Sequence, residues 1–321
     1  MNGYDALSQA FLHFPQIGPK RRQELLAAGL VSWQDLPEEC PPQLTCLRRA
    51  WAGINAARRE NLQALTEQDW QYFASRLDGR ERWRLLVNAW EEAVFLDIET
   101  SGLSFQPEVT VISCWDGQEL RLFVRNENLE DFLDYADGVR LFVTFNGAQF
   151  DLPVLRQEFH IPEISPAAHL DLRWICRQAG YQHGLKSIER QLSILRPADL
   201  QETNGEEAVY LWQRWQRERV EAARRKLLRY CAADTIALQK VAALLQQQYG
   251  FPQAVRMLPP DIWTGLNQQL PALPDDSAQE ARAAAPAAPA APAVPPESFL
   301  HTINGLEDIQ ARLQRFLQRK K

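Results

Sequence analysis

The spacing of apolar and polar positions divides the chain into a helical part and a mixed part. Up to about residue 90 the apolar positions recur at helical intervals, as in Leu26, Leu30 and Trp33, and no alternating strand pattern is found. We therefore predict a small helical region over residues 1–90.

The mixed part begins with a run of apolar residues at 93–99, which predicts a buried strand. The Asp116-Gly117 pair between two apolar runs predicts a β-hairpin. Residues 128–136 and most of 150–247 have helical spacing, with breaks near Pro162, Gly184 and Pro197. We predict an α/β domain over residues 91–250. The predicted strands are residues 93–99, 109–115, 119–125 and 141–146.

The C-terminal part, from residue 251, differs in composition and in the spacing of its apolar residues. Residues 251–297 form an extended segment that becomes rich in Ala and Pro from residue 271, which predicts a disordered, semi-rigid linker. Residues 298–321 then carry apolar positions at helical spacing and predict a short amphipathic helix. This helix either folds back onto the body or docks onto a protein partner.

Composition narrows the class of protein. A formal charge of −6 argues against a protein that coats nucleic acid non-specifically, although local basic patches are allowed. The five cysteines form no C-x-x-C pair, so we expect neither a disulfide framework nor a zinc site. With no secretory leader pattern and no long apolar run, we predict a cytoplasmic protein without a membrane span.

Two acids stand at the end of the first predicted strand. Asp97 and Glu99 are two positions apart, so both side chains point to the same face. Two carboxylates on a buried strand repel each other and lose hydration, and a counter-charge must offset this cost. A divalent cation with oxygen ligands is the simplest one, although such a pair alone is more often a pair of solvated turn residues.

Further candidates lie later in the chain. Asp151 follows the strand at 141–146 and begins a helix, where an acid is often only a helix cap. Tyr230 and Asp234 are four apart on a helix and can reach one site, although such a pair alone more often has no shared role.

Taken in chain order, these residues resemble a known set of motifs. D-x-E at Asp97 and Glu99, N-x-x-x-F-D at Asn146 to Asp151, and Y-x-x-x-D at Tyr230 to Asp234 are similar to the three motifs of the DEDD exonuclease superfamily, which has an RNase H-like fold. The segments DIETSGL, VTFNGAQFDLPVL, HLDL, GLKSI and YCAAD look like the YprB-type RNase H-like exonuclease domain. The resemblance covers about residues 90–247.

The resemblance implies a fold and a chemistry. It implies a mixed sheet flanked by helices, and hydrolysis of phosphodiester bonds with two Mg²⁺ or Mn²⁺ ions. The resemblance favours the DEDDy branch, because the other branch would have a histidine at the position of Arg229. The metal ligands and catalytic acids it implies are Asp97, Glu99, Asp151 and Asp234, and Tyr230 would position or help deprotonate the attacking water.

Contacts with nucleic acid are expected at a few other residues. We expect Asn146 to contact the terminal nucleotide and Thr100 to donate to its phosphate, although both residue types more often serve in turns. Residues 14–36 resemble a single helix-hairpin-helix motif, in which the backbone near Gly18 and the charge of Lys20 would bind phosphate. A helical scaffold that does not bind nucleic acid is the alternative interpretation of this segment.

Three functional hypotheses follow. The first is a metal-dependent 3′-to-5′ exonuclease acting on single-stranded or frayed nucleic acid, with DNA slightly favoured over RNA because of the hairpin. The second is a catalytically silent module that binds nucleic acid or recruits a partner through the C-terminal helix. The third is a structure-selective endonuclease with the same metal chemistry. The helix predicted over residues 206–229 carries seven Arg and Lys residues and either guides a strand or is a solvated, charge-mixed face.

Overall fold

The computed structural model of the protein describes residues 5–102, 107–164 and 167–273. Within them the chain forms a five-stranded sheet flanked by helices and preceded by a helical N-terminal region. The predicted α/β class with its mixed sheet and its helical start is therefore confirmed. The predicted C-terminal helix at 298–321, and the linker from residue 274 onward, lie outside the described residues.

The sheet is mixed. Its strand order is β3-β2-β1-β4-β5, with β1 antiparallel to β2 and parallel to β4. β3 pairs antiparallel with β2, and β5 pairs parallel with β4. Because β1, β4 and β5 run parallel, their C-terminal ends lie side by side at one end of the sheet, which we call its edge. The strands are β1 Ala93–Thr100, β2 Val109–Trp115, β3 Leu120–Val124, β4 Leu141–Thr144 and β5 Ala168–Asp171.

The helices fall into an N-terminal set and a set that covers the sheet. The N-terminal set is α1 Pro19–Ala27, α2 Trp51–Glu67, α3 Trp70–Arg76 and α4 Trp83–Asn88. The second set is α5 Asp131–Asp137, α6 Asp151–Glu158, α7 Leu172–Gln178, α8 Leu185–Gln191, α9 Gly205–Glu218, α10 Glu221–Gln248, α11 Gln253–Met257 and α12 Thr264–Gln269.

Each face of the sheet has its own core. On one face, Phe95 of β1 packs in the same cluster as the buried side chains of α10 and of the N-terminal helices. On the other face, Leu96 packs with Phe132 of α5 and Val154 of α6. Because successive side chains of a strand point to opposite faces, β1 contributes to both cores.

The 28-residue helix α10 packs across the first face of the sheet. Gln239 accepts a hydrogen bond from the Trp115 indole at 2.8 Å, and Thr235 lies 3.0 Å from the Ser113 hydroxyl. One turn before Thr235, Cys231 lies against Asp97 of β1. The N-terminal half of α10 is thereby placed at the end of β1.

In the N-terminal region, the buried carboxylate of Glu81 is surrounded by two backbone amides and two arginines. Glu81 accepts hydrogen bonds from the backbone amides of Leu12 at 2.7 Å and Phe11 at 3.4 Å. The Nε atoms of Arg22 and Arg84 lie 3.4 and 3.9 Å from its carboxylate. Burial raises the pKa of Glu81, and these amides and arginines act in the opposite direction.

Two predicted elements require correction. Residues 168–171 form a fifth strand that was not predicted, because four residues with a polar His169 give too short an apolar pattern. The helix predicted over 206–229 is instead two helices, α9 and α10. The break lies at Arg219, which adopts the left-handed conformation with φ 56° and ends α9.

Two further predictions concern the cysteines and membrane-spanning helices. All five cysteines lie within the described residues and are free. In the described part of the chain, no helix combines the length and the apolar character needed to cross a membrane.

Candidate active site

Asp97 and Glu99 lie on the face of β1 that α10 covers. They follow Phe95 at intervals of two residues, and this alternation places all three side chains on that face. The Cys231 thiol of α10 lies 3.8 Å from Oδ2 of Asp97. Potential ligand atoms of Asp97, Glu99 and Cys231 all lie within 4.8 Å of one another.

Asp151 reaches this site from a tight turn after β4. The turn is fixed by Asp171, which accepts hydrogen bonds from the amides of Asn146 at 2.8 Å and Ala148 at 3.2 Å. Gly147 is required here, because a Cβ atom would lie 2.2 Å from the Thr144 hydroxyl oxygen.

The turn places Asp151 at the first residue of α6, where it is 4% exposed. Burial raises the pKa of its carboxyl group, and backbone groups of Asp151 and Ile98 lower that pKa. Because Ile98 lies between Asp97 and Glu99, the carboxylate of Asp151 is beside the acids of β1.

Tyr230 and Asp234 complete the group from one side of α10. Both are buried, with exposed fractions of 6% and 8%. The structure thus brings together acids from three distant parts of the chain. We refer to Asp97, Glu99, Asp151 and Asp234 as the carboxylate cluster.

The carboxylate cluster has an excess of negative charge. Burial and the neighbouring carboxylates raise the pKa of Asp97 and of Glu99 well above their usual values. Burial also raises the pKa of Asp151 to about 7. The cations Arg196 and Lys186 act in the opposite direction on Glu99, but less strongly than burial and the neighbouring acids.

Tyr230 and Cys231 are neutral neighbours of the cluster. Burial, followed by the charge of Asp234, raises the pKa of the Tyr230 phenol. Burial likewise raises the pKa of the Cys231 thiol well above its usual value, and Asp97 adds to the shift. Most of the donors offered to a cation here are carboxylate oxygens. This donor set fits a hard divalent cation such as Mg²⁺ or Mn²⁺.

Three charged residues of this site were not singled out in the sequence. Arg196 donates to Glu189 at 2.7 and 2.5 Å and also donates to Asp234. Lys186 donates to the carbonyl of Thr203, and its Nζ lies 4.7 Å from the centre of the Tyr230 ring. A signal existed for Glu189, because it lies at helical spacing from the apolar residues Leu185 and Leu192, on the face expected to be buried. For Arg196, which lies in a loop, the sequence carries no comparable signal.

Asn146 and Thr100 lie next to the cluster in sequence and already have protein partners. Asn146 adopts φ 68°, and its side-chain oxygen accepts a hydrogen bond from Arg173. The buried Thr100 donates its hydroxyl to the carbonyl of Gly102 at 3.2 Å.

Gly18 and Lys20 lie elsewhere, at the exposed start of α1 in the N-terminal region. Gly18 precedes the first residue of α1, and the helical segment before it is the single 3-10 turn Leu7–Gln9. Within residues 5–102, 107–164 and 167–273, no contact joins these two residues to the carboxylate cluster. The helix-hairpin-helix motif therefore stays a prediction.

Comparison with known proteins finds one family model that matches the sheet and its helices. Residues 94–246 match the family model RNase_H_2, of the RNase_H superfamily. No curated protein sequence shows a significant match to the chain. This part of the chain is similar to RNase H-like domains.

Solved structures with partial similarity include polymerase and nuclease chains. The family B DNA polymerase from the hyperthermophilic archaeon Pyrobaculum calidifontis has 15% identity and a TM-score of 0.38, and the match covers 50% of this chain and 26% of the polymerase. NrnC of Brucella melitensis with bound Mg²⁺ has 21% identity and a TM-score of 0.35, covering 53% of this chain and 80% of NrnC. A structure described as the apo form of a nuclease has 18% identity and a TM-score of 0.35, covering 57% of this chain and 86% of that one.

Proposed function

We propose that the protein is a metal-dependent 3′-to-5′ exonuclease of the DEDDy type that hydrolyses phosphodiester bonds. The observation that carries this proposal is the convergence of four carboxylates, two of them buried (Asp151 and Asp234) and two half-buried (Asp97 and Glu99), with few cations to offset their charge. Buried acids in such excess are costly unless added positive charge neutralises them. A purely structural role would instead favour paired charges.

The carboxylate cluster would hold the metal ions. Asp97, Glu99, Asp151 and Asp234 supply oxygen ligands of the kind that Mg²⁺ and Mn²⁺ prefer. Two bound divalent cations would neutralise charge on the reacting phosphate and activate a water molecule. Because the acids come from β1, α6 and α10, they enclose the end of the sheet where the reacting phosphate would bind.

The neighbouring residues would orient the substrate. The Tyr230 phenol, which is the protonated form of the side chain, can donate a hydrogen bond to the attacking water or to a phosphate oxygen. Asn146 would donate through its amide nitrogen to the terminal nucleotide, since its oxygen already accepts from Arg173. Thr100 would contribute through the backbone at the end of β1, because its hydroxyl already donates to Gly102.

The proposed substrate is a single-stranded or frayed 3′ end. The start of α1, with Gly18 and Lys20, would bind phosphate away from the reaction, and this hairpin slightly favours DNA over RNA. We propose residues 91–250 as the catalytic domain and the cytoplasm as its compartment.

The direct test is cleavage of 5′-labelled single-stranded DNA and RNA by the full chain with Mg²⁺ or Mn²⁺. We expect a ladder of products shortened from the 3′ end. Asp97→Asn should lower the rate about a hundredfold or more, and Tyr230→Phe about tenfold. The exposed acid Glu130 offers a matched control, so Glu130→Gln should cleave like the wild type. Internal fragments without a ladder would indicate an endonuclease, and no cleavage with either metal would favour the silent module.

A further inference from the structure

Arg196 connects the carboxylate cluster to a second buried acid that is not part of it. Arg196 and Glu189 are only 7% and 3% exposed. The guanidinium donates through Nε and Nη2 to the two oxygens of Glu189, at 2.7 and 2.5 Å. Its Nη2 atom also donates to Oδ1 of Asp234. One side chain therefore joins an acid of α8 to an acid of α10.

The geometry of this connection restrains Asp234. A two-point bond between a guanidinium and a carboxylate fixes the plane of the guanidinium. With that plane fixed by Glu189, the third bond fixes the position of Oδ1 of Asp234. The remaining oxygen, Oδ2, is then the one available to a cation.

We propose that Arg196 is a positioning residue for the metal site, and that Glu189 acts through it. This inference rests on the proposed function, since it assumes that Asp234 is a metal ligand. Hydrogen-bond partners that orient a ligand commonly change metal affinity by about 10- to 100-fold when they are removed. Arg196 is such a hydrogen-bond partner of Asp234.

A different role for Arg196, that of a simple counter-charge, makes a different prediction. A counter-charge only has to be positive, so a lysine would replace it without loss. A lysine ammonium is a point charge on a flexible stem and cannot reproduce the planar two-point bond to Glu189. The substitution Arg196→Lys therefore keeps the charge and removes the geometry.

The test is calorimetric titration of the full-length protein with Mn²⁺ alone, in the absence of nucleic acid. We expect Arg196→Lys to raise the Kd for Mn²⁺ about tenfold or more. The control is Arg190→Lys, at an exposed position of α8 next to Glu189, and it should bind Mn²⁺ like the wild type. An unchanged Kd for a folded Arg196→Lys protein would overturn the inference.

A second variant tests whether Glu189 acts through Arg196. Glu189→Gln keeps the size of the side chain and weakens the two-point bond, so its Kd for Mn²⁺ should also rise. In the double variant the two effects should not add, because both break one connection. Additive effects would contradict the proposal, and so would an unchanged Kd in Glu189→Gln, which serves as the test if Arg196→Lys does not fold.

The outcomes separate this inference from the function on which it rests. If the wild type binds no Mn²⁺, the proposed function fails and the inference fails with it. If the wild type and Arg190→Lys bind Mn²⁺ and Arg196→Lys binds it equally well, only the inference fails.

Discussion

Acids are gathered in the N-terminal region and at the end of the sheet, and the two groups are balanced differently by positive charge. In the N-terminal region one carboxylate, Glu81, is matched by two backbone amides and two arginines. At the edge of the sheet, the carboxylate cluster and Glu189 place five acids near Arg196 and Lys186.

This difference in charge balance indicates different roles for Glu81 and for the carboxylate cluster. A balanced acid stabilises a fold only if its partners stay in place, and removing its charge leaves those partners unsatisfied. An unbalanced group is stable only when positive charge is added, so it is suited to binding cations. Glu81 therefore serves as a structural reference for the carboxylate cluster.

The largest expected difference between the two places is in catalysis. Asp97→Asn should reduce cleavage of a 5′-labelled oligonucleotide about a hundredfold or more, because it removes a proposed metal ligand. Glu81→Gln should leave cleavage unchanged at a temperature where the variant is folded. Equal losses in both variants would mean that the acids at the sheet edge have no special role.

The next effect is stabilisation by metal. Saturating Mn²⁺ should raise the free energy of unfolding of the wild type by about 3 kcal/mol at a hundredfold excess over Kd. The shift in Tm should be retained in Glu81→Gln and largely lost in Asp97→Asn, as measured by thermal unfolding with and without Mn²⁺. A wild-type Tm that does not respond to Mn²⁺ would contradict the prediction.

A smaller effect is expected for the structural acid itself. Glu81→Gln should lower the free energy of unfolding by about 2 kcal/mol, because it weakens the hydrogen bonds from the Leu12 and Phe11 amides and removes the attraction to the two arginines. Denaturant unfolding measures this loss. The exposed control Glu130→Gln should change stability by less than about 0.5 kcal/mol.

The last effect concerns pH in the absence of metal. Folded Asp151 has a pKa of about 7, against 3.8 in its ordinary state. The unfolded chain therefore releases this proton at a lower pH than the folded protein, and stability falls as pH rises from about 4 to about 7. In the chelator-treated protein, Asp151→Asn should remove up to about 4 kcal/mol of this fall, since each unit of pKa difference corresponds to about 1.4 kcal/mol. A profile identical to that of the wild type would contradict the raised pKa.

Much of the fold was predictable because it depends on local patterns. The strands β1 to β4 are mainly apolar, and the Asp116-Gly117 turn marks the hairpin between β2 and β3. β5 was missed because a four-residue strand that pairs on one side only has little pattern of its own. The end of α9 at Arg219 was missed because a left-handed arginine has no compositional signature, unlike a glycine.

The acids of the site were located from the sequence as a set of motifs, but their partners were not. The expectation of a positive counter-charge beside Asp97 and Glu99 considered only a metal ion. The structure adds Arg196, which comes from a loop 38 residues before Asp234 in the chain. Such a long-range ion pair follows from packing of α8 against α10 and leaves no periodic signal in the sequence.

The central claim is that the carboxylate cluster holds divalent cations, and crystals of the protein soaked in Mn²⁺ test it most directly. Anomalous diffraction at the manganese edge should give peaks within bonding distance of Asp97, Glu99, Asp151 and Asp234, with no peak beside Glu81. Peaks elsewhere on the molecule and none between these four carboxylates would contradict the account.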